Sequence, residues 1–97
     1  MEYLPLFVDL KDRACLVVGG GEIAARKASL LIKANASVTM VAPEVSISTQ
    51  KLIDNKQANW LQAEFEASHI TNKQLVIAAT DNQLVNQQVY DHAKAAG

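Results

Sequence analysis

The chain has 97 residues, of which 49% are hydrophobic, and its nine basic and ten acidic side chains leave a formal charge of −1. A chain of this length forms one small domain, which buries only somewhat more than about 60% of its unfolded surface. It lacks the basic excess with which proteins bind nucleic acid or an anionic membrane, so we expect neither partner.

The apolar runs and the single cysteine bear on the compartment. The longest apolar runs, such as residues 15–18 and 75–79, are far too short to span a bilayer, and the N-terminus has no signal-peptide layout. Cys15 cannot form an internal disulfide, and it begins a predicted buried strand, where a small apolar side chain is required. We therefore expect a cytoplasmic protein.

The first predicted elements are a lead-in segment, a strand and a helix. Residues 3–10 are apolar with an early proline, which is typical of a short edge strand or of a segment that covers the sheet. Residues 14–18 predict a buried strand, and residues 22–33 predict a helix that ends near Asn35. The apolar face of this helix is formed by Ala24, Ala28 and Leu31.

A glycine motif joins this strand to this helix. Gly19-x-Gly21-x-x-Ala24 fits the dinucleotide-binding pattern, in which the first glycine permits a sharp turn and the second lets the backbone approach a pyrophosphate. Small Ala24 permits close packing of helix and strand, and the phosphate lies on the unpaired N–H groups of the helix N-terminus. A purely structural turn is the alternative, because glycines close many strands for steric reasons.

The second strand is predicted over residues 37–42, and Pro43 ends it. Ligands of such sheets bind beyond the carboxyl ends of the strands, so Pro43 and Glu44 should line the crevice. An acid about 20 residues past the glycines normally binds the ribose hydroxyls. Glu44 is the candidate, but it comes a few residues late and after a proline, so its backbone position is the alternative contribution.

The middle of the chain predicts a helix over residues 46–55, with Ser46 or Ser48 as its cap, and a short strand over residues 59–63. The loop 64–66 then leaves this strand. Aromatic residues here, Trp60 and Phe65, are expected to pack in the core or at its edge rather than to stack on a base. Neither His69 nor His92 has neighbours in the sequence that would complete a metal site, so we predict no bound metal.

The last elements are a strand over residues 74–79 and a helix over residues 82–95. Thr80 and Asp81 lie between them, at the carboxyl end of the strand, and Asp81 is predicted to cap the helix. Both residues either serve the cap alone or contact a cofactor as well. The predicted apolar face of the helix consists of Val85, Val89, Ala93 and Ala96.

This order of elements predicts an α/β fold, a Rossmann-like parallel sheet with helices on both faces, as one domain over residues 1–97. The sequence stops at Gly97, where a further strand would normally follow, so we expect the sheet to lack its C-terminal strand or strands. The edge of strand 74–79 would then be open to another chain, which predicts self-association.

Four stretches of the chain together resemble the N-terminal module of siroheme synthase, a precorrin-2 dehydrogenase and sirohydrochlorin ferrochelatase. They are residues 3–7 (YLPLF), 16–27 (LVVGGGEIAARK), 41–44 (VAPE) and 76–82 (VIAATDN). They occur in order over essentially all 97 residues. The combination of GGGEIAxRK with AATD is much more specific than the glycine pattern alone.

The resemblance implies an enzyme that uses NAD to take a hydride from the tetrapyrrole precorrin-2, giving sirohydrochlorin, which then receives ferrous iron. It implies nucleotide contacts at Glu22, Ile23, Pro43 and Glu44, and a homodimer for the full-length enzyme. No arginine follows the second strand to bind a 2′-phosphate, which favours NAD over NADP. The side chains of Arg26 and Lys27 are candidates for balancing substrate carboxylates or cofactor phosphates, although a solvated helix face is the commoner role.

The proposed acid/base aspartate of the family lies on the strand that would follow Gly97. We therefore predict no catalytic residue within these residues, and expect the chain to be the NAD-binding portion of the module, catalytically incomplete by itself. A regulatory module that binds NAD without chemistry is the main alternative, and a purely structural α/β domain is the third.

Overall fold

The structure is a computed structural model that describes residues 10–96. Its elements are β1 (Ala14–Val18), α1 (Glu22–Lys33), β2 (Ser37–Val41), α2 (Ile47–Asp54), β3 (Asn59–Leu61), β4 (Leu75–Ala78) and α3 (Gln83–Ala96). A 3₁₀ turn at Ala67–Ile70, which was not predicted, precedes β4. The predicted lead-in over residues 3–10 lies, apart from Leu10, outside the described residues.

The four strands form one parallel sheet in the order β3-β2-β1-β4. β1 lies inside the sheet, where Cys15 is opposite Val38 of β2 and Leu75 of β4. This arrangement confirms the predicted Rossmann-like α/β fold. Within residues 10–96, β4 has a neighbouring strand on one side only. Self-association through its other side stays a prediction.

Helices cover both faces of the sheet, as predicted. Successive side chains of a strand point to opposite faces, so Cys15 shares a buried cluster with Ala28 of α1. Leu16 lies on the other face, in a cluster with Val89 of α3. Because both faces of β1 are covered, its sequence is a continuous apolar run rather than an alternating one.

The ends of α1 and α2 follow the predicted chemistry. Asn35 has a φ of 63°, the left-handed conformation that asparagine tolerates after a helix. The hydroxyl oxygen of Ser46 accepts a hydrogen bond from the N–H of Thr49 at 3.2 Å and so caps α2. Ser48, the other candidate cap, instead donates a hydrogen bond to the carboxylate of Glu22.

The prediction that Asp81 caps α3 is wrong. The side-chain oxygen of Asn82 accepts hydrogen bonds from the N–H groups of Leu84 and Val85, at 3.0 and 3.2 Å. The helix begins at Gln83, one residue later than predicted. Asn82 therefore occupies the N-cap position, because only the residue directly before the first helical turn can reach those N–H groups.

Strands β2, β3 and β4 end one or two residues earlier than predicted, at Val41, Leu61 and Ala78. The pairing nevertheless continues briefly, since the Ala42 N–H donates to the Leu61 carbonyl oxygen at 3.2 Å. The chain then leaves the sheet at the edge where ligands of α/β sheets bind.

The inner face of α3 is shorter than predicted. Val89 is buried and Val85 is half-buried against the same cluster, but Ala96 is exposed.

Among residues 10–96 there is no helix with both the length and the apolar character that a membrane crossing requires.

Candidate functional site

A cavity of about 630 Å³ opens at the carboxyl ends of the strands. The structure brings into its lining all eight residues that were predicted from the sequence to bind a cofactor. They are Gly19, Gly21, Glu22, Ile23, Pro43, Glu44, Thr80 and Asp81. The loops after β1, β2 and β4 thus converge on one space.

The packing of the turn after β1 requires a glycine at position 19. The φ of Gly19 is +136°, in the region that side chains rarely adopt. A Cβ atom here would lie 2.5 Å from the carbonyl oxygen of Ala79. The N–H of Gly19 also donates to the Val41 carbonyl oxygen at 2.9 Å, so the turn is fixed against both neighbouring strands.

The middle glycine, Gly20, to which no role was assigned from the sequence, is equally constrained. A Cβ atom there would lie 2.4 Å from the carbonyl oxygen of Glu44 and 2.9 Å from the Ala42 Cβ atom. Its own carbonyl oxygen accepts a hydrogen bond from the Ser46 N–H at 2.7 Å. The constraint comes from a loop more than 20 residues away in the sequence, so the local pattern gave no sign of it.

Gly21 differs from the other two glycines. Its backbone is extended, with φ −87° and ψ −165°, a conformation that any residue adopts. A Cβ atom there would meet no atom of the described residues within 4 Å. Nothing within residues 10–96 therefore demands glycine at this position, and Gly21 is among the residues that line the cavity. This fits the predicted reason for Gly21, the close approach of a ligand to the backbone.

The N-terminus of α1 presents N–H groups at the same place. The first helical hydrogen bond runs from the Ala25 N–H to the Gly21 carbonyl oxygen at 3.0 Å, so the N–H groups of Glu22, Ile23 and Ala24 have no partner within the helix. Gly21 provides no side-chain cap, whereas α2 is capped by Ser46. Together with the helix dipole, these N–H groups favour an anion.

Helix α2 supports this helix start from the side. The Ser48 hydroxyl donates to the Glu22 carboxylate at 2.8 Å, and the fully buried Thr49 donates its hydroxyl to the Gly21 carbonyl oxygen at 3.3 Å. The hydrogen bond from Ser48, followed by that from Ser46, holds the pKa of Glu22 below its ordinary value. The exposed Glu22 side chain therefore stays ionised to lower pH than an isolated glutamate would, and it is held toward α2.

The loop after β2 is held by the chain that follows it. The Trp60 indole N–H donates to the Ala42 carbonyl oxygen at 2.9 Å, and the Gln62 amide lies 3.5 Å from the Pro43 carbonyl oxygen. Both Pro43 and Glu44 are exposed at the rim of the cavity. The indole of Trp60 therefore fixes the loop that presents Glu44.

At the end of β4, the two predicted site residues differ in what their side chains do. The Thr80 hydroxyl oxygen lies 2.7 Å from the side-chain oxygen of Asn86, so it is engaged within the protein. Asp81 is exposed, and its carboxylate forms no hydrogen bond with residues 10–96. Because Asn82 caps α3 instead, Asp81 has no capping role, and its carboxylate is open to a ligand.

Glu64, Phe65, Asn82 and Val85 also line the cavity but were not predicted as site residues. Phe65 is half-buried and packs against the cluster between the sheet and α3, with its ring centroid 6.1 Å from those of His69 and His92. Its role in the core was predicted, but its contribution to the cavity was missed. The signal was its place just after β3, because all strands of a parallel sheet end at the same edge.

Within residues 10–96, the charged residues that line the cavity are all acidic: Glu22, Glu44, Glu64 and Asp81. Arg26 and Lys27 do not line it. Arg26 instead borders a separate groove between α1 and α2, together with Lys33. Attraction for an anion in the cavity therefore comes from the backbone N–H groups of α1 rather than from a cationic side chain.

The Glu22 pKa leads to a test of the contact between α1 and α2. Because this pKa is lowered in the folded chain, the carboxylate stabilises the fold at neutral pH and loses that contribution as the pH falls through the lowered pKa. Ser48→Ala should raise the pKa of Glu22 toward its ordinary value, as measured by NMR titration of its carboxyl carbon. Ser68→Ala, which changes an exposed serine elsewhere, is the control, and an unchanged Glu22 pKa in Ser48→Ala would contradict the assignment.

Comparisons with known proteins agree with this geometry. The chain is 52% identical over 95 residues to siroheme synthase from Actinobacillus pleuropneumoniae serotype 3, covering 98% of this chain and 20% of that protein. It is 50% identical over 93 residues to siroheme synthase from Photobacterium profundum, covering 96% and 20% respectively. The chain thus spans about a fifth of the length of these relatives.

A solved structure with the same fold is that of SirC, precorrin-2 dehydrogenase. It superposes with a TM-score of 0.83 at 32% sequence identity, over 91% of this chain and 44% of that chain. The predicted resemblance to siroheme synthase is therefore confirmed. The model of a family described as "Putative NAD(P)-binding" matches residues 6–97, and the chain accordingly belongs to this NAD(P)-binding family.

Proposed function

We propose that this chain is the NAD-binding domain of an enzyme that dehydrogenates precorrin-2 to sirohydrochlorin in siroheme biosynthesis. The observation that carries the proposal is the space beside Gly21, where a Cβ atom would meet no atom of residues 10–96 within 4 Å, next to a helix start without a side-chain cap. The similarity to siroheme synthases and to SirC supports the reaction class.

The residues of the cavity fit a dinucleotide by their chemistry. The N–H groups of Glu22 and Ile23 would bind the pyrophosphate, and Glu44 would accept hydrogen bonds from the ribose hydroxyls. Thr80 and Asp81 would contact the cofactor from the opposite wall. When bound, the nicotinamide accepts the hydride that leaves precorrin-2, so the task of this domain is to bind and orient the cofactor.

The charge of the cavity favours NAD over NADP. The 2′-phosphate of NADP adds about two negative charges at neutral pH, and those charged residues of the described chain that line this cavity are all acidic. A carboxylate at position 44 would repel this phosphate, whereas it would bind the two free hydroxyls of the NAD ribose. We therefore assign NAD as the cofactor.

The acidic lining of the cavity also indicates that substrate binding needs groups outside it. Precorrin-2 carries several carboxylates, and none of the described residues that line the cavity is basic. We propose that, in the complete enzyme, further segments bind these carboxylates and supply the acid/base group. Iron insertion, the homodimer and the cytoplasmic location stay predictions from the sequence.

A regulatory NAD-binding module is the second candidate. In its favour, all four ionisable side chains that line the cavity, Glu22, Glu44, Glu64 and Asp81, are exposed. Buried carboxylates are more typical of general bases. A longer form of the protein that binds NAD⁺ but does not oxidise precorrin-2 would favour this candidate.

Substitution of Gly21 separates cofactor binding from folding. Gly21→Asp should remain folded and be at least as stable as the wild-type chain, because aspartate is a good N-cap and its Cβ atom has free space. It should lose measurable NAD⁺ binding in calorimetry, since its carboxylate would oppose the pyrophosphate. Gly19→Ala should instead lower the free energy of unfolding by roughly 1 kcal/mol or more, because its Cβ atom would collide with Ala79.

Two outcomes of this titration would contradict the proposed function. The first is a folded wild-type chain that does not bind NAD⁺. The second is a Gly21→Asp variant that binds NAD⁺ as tightly as the wild-type chain does.

Substitution of Glu44 tests the choice of cofactor. The wild-type chain should bind NAD⁺ more tightly than NADP⁺, and Glu44→Gln should reduce that preference roughly 10-fold by removing the repulsive charge. Asp54→Asn changes charge equally on α2, away from the cavity, and should leave the ratio of the two dissociation constants unchanged. Equal ratios for Glu44→Gln and the wild-type chain would refute the role of Glu44.

A further inference from the structure

The backbone of Thr80 leaves the sheet at the cavity and needs partners for its polar groups. The preceding residue, Ala79, still pairs with β1, since its N–H donates to the Val18 carbonyl oxygen at 2.9 Å. Beyond Ala79 the ladder of β4 has ended, so the N–H and C=O of Thr80 have no strand partner. A partly buried backbone group without a partner would be unfavourable.

Asn86 of α3 supplies these partners with one side chain. Its Oδ1 atom accepts from the Thr80 N–H at 3.1 Å and lies 2.7 Å from the Thr80 hydroxyl oxygen. Its Nδ2 atom donates to the Thr80 carbonyl oxygen at 3.0 Å. Because one end faces a donor and the other an acceptor, the orientation of the amide is determined by its surroundings. The amide thus pairs with Thr80 much as a neighbouring strand would.

The same network extends to the start of α3. The Thr80 hydroxyl oxygen accepts from the Asn82 N–H at 3.1 Å, and Asn82 in turn caps the helix. The N–H of Asn86 donates to the Asn82 carbonyl oxygen at 3.1 Å, as part of the first turn of α3. Residues 80–82 are therefore fixed at both ends, by the cap of the helix and by the Asn86 amide.

This loop forms one wall of the cavity, although Asn86 does not line it. Thr80, Asp81 and Asn82 face the space, and the carbonyl oxygen of Ala79 just before them lies against Gly19. We propose that Asn86 is a positioning residue for cofactor binding, which holds the loop 80–82 where Thr80 and Asp81 meet the dinucleotide. This inference rests on the proposed function.

The test uses three variants of the full chain and NAD⁺ as the ligand. Asn86→Ala removes the whole pairing and should weaken NAD⁺ binding roughly 10-fold. Gln87→Ala is the matched control, because Gln87 neighbours Asn86 on α3 but bonds the exposed Asp91 instead. It should leave the dissociation constant unchanged. Circular dichroism and urea unfolding report whether each variant is folded.

Asn86→Asp provides a readout that a general loss of stability would not produce. When ionised, its carboxylate offers only acceptors, so one oxygen would repel the Thr80 carbonyl oxygen. When protonated, it again has one donor and one acceptor and can restore the pairing. The ratio of its NAD⁺ dissociation constant to that of the wild-type chain should therefore be roughly 10 at neutral pH and fall toward one near about pH 4.

The outcomes distinguish this inference from the proposed function. The positioning role is refuted, while the proposed function stands, if the wild-type chain binds NAD⁺ and both Asn86 variants bind it as tightly as the wild-type chain does. A ratio for Asn86→Asp that does not change with pH would also refute it, even if Asn86→Ala proved too unstable to study. A folded wild-type chain that does not bind NAD⁺ would contradict the proposed function, and the inference with it.

Discussion

The contact between the Ala79 carbonyl oxygen and the backbone of Gly19 is the constraint on which the site depends. Because the oxygen occupies the space that a Cβ atom would need, the turn after β1 and the loop after β4 approach each other backbone to backbone. Gly20 meets the loop after β2 in the same way, through the Glu44 carbonyl oxygen. Two glycines thus bring the ends of three strands together, and the cavity is the space above them.

The physical reason for a glycine therefore differs among the three consecutive positions. Gly19 and Gly20 are required by packing, so substitutions there act on folding. Gly21 is not required by packing within residues 10–96, and its substitution should act on a ligand instead. Such a division is what we expect of a dinucleotide site, because a merely tight turn would not require free space at Gly21. The buried Thr49 of α2 donates its hydroxyl to the Gly21 carbonyl oxygen.

The parts of the fold that depend on local residue patterns could be predicted from the sequence. The buried run at residues 14–18 and the helical spacing after it gave β1 and α1 with their observed bounds. The glycine motif, the carboxyl-end rule and the resemblance to siroheme synthase together predicted eight cofactor-binding residues, and all eight line one cavity. Features that depend on contacts across the fold were missed. Asp81 and Asn82 are both good caps, and only the position of Gln83 in the helix decides between them. The pairing of Asn86 with Thr80 likewise has no pattern of its own in the sequence.

The most direct test of the account is an NMR titration of the isotopically labelled chain with NAD⁺, followed through the backbone amides. The account predicts saturable shifts at Gly19, Gly21, Ile23, Glu44 and Thr80, on all three converging loops. It predicts little change in the separate groove between α1 and α2, which Arg26 and Lys33 border. Saturable shifts confined to that groove, or no saturable shift in a folded chain, would contradict the central claim that these loops form a dinucleotide site.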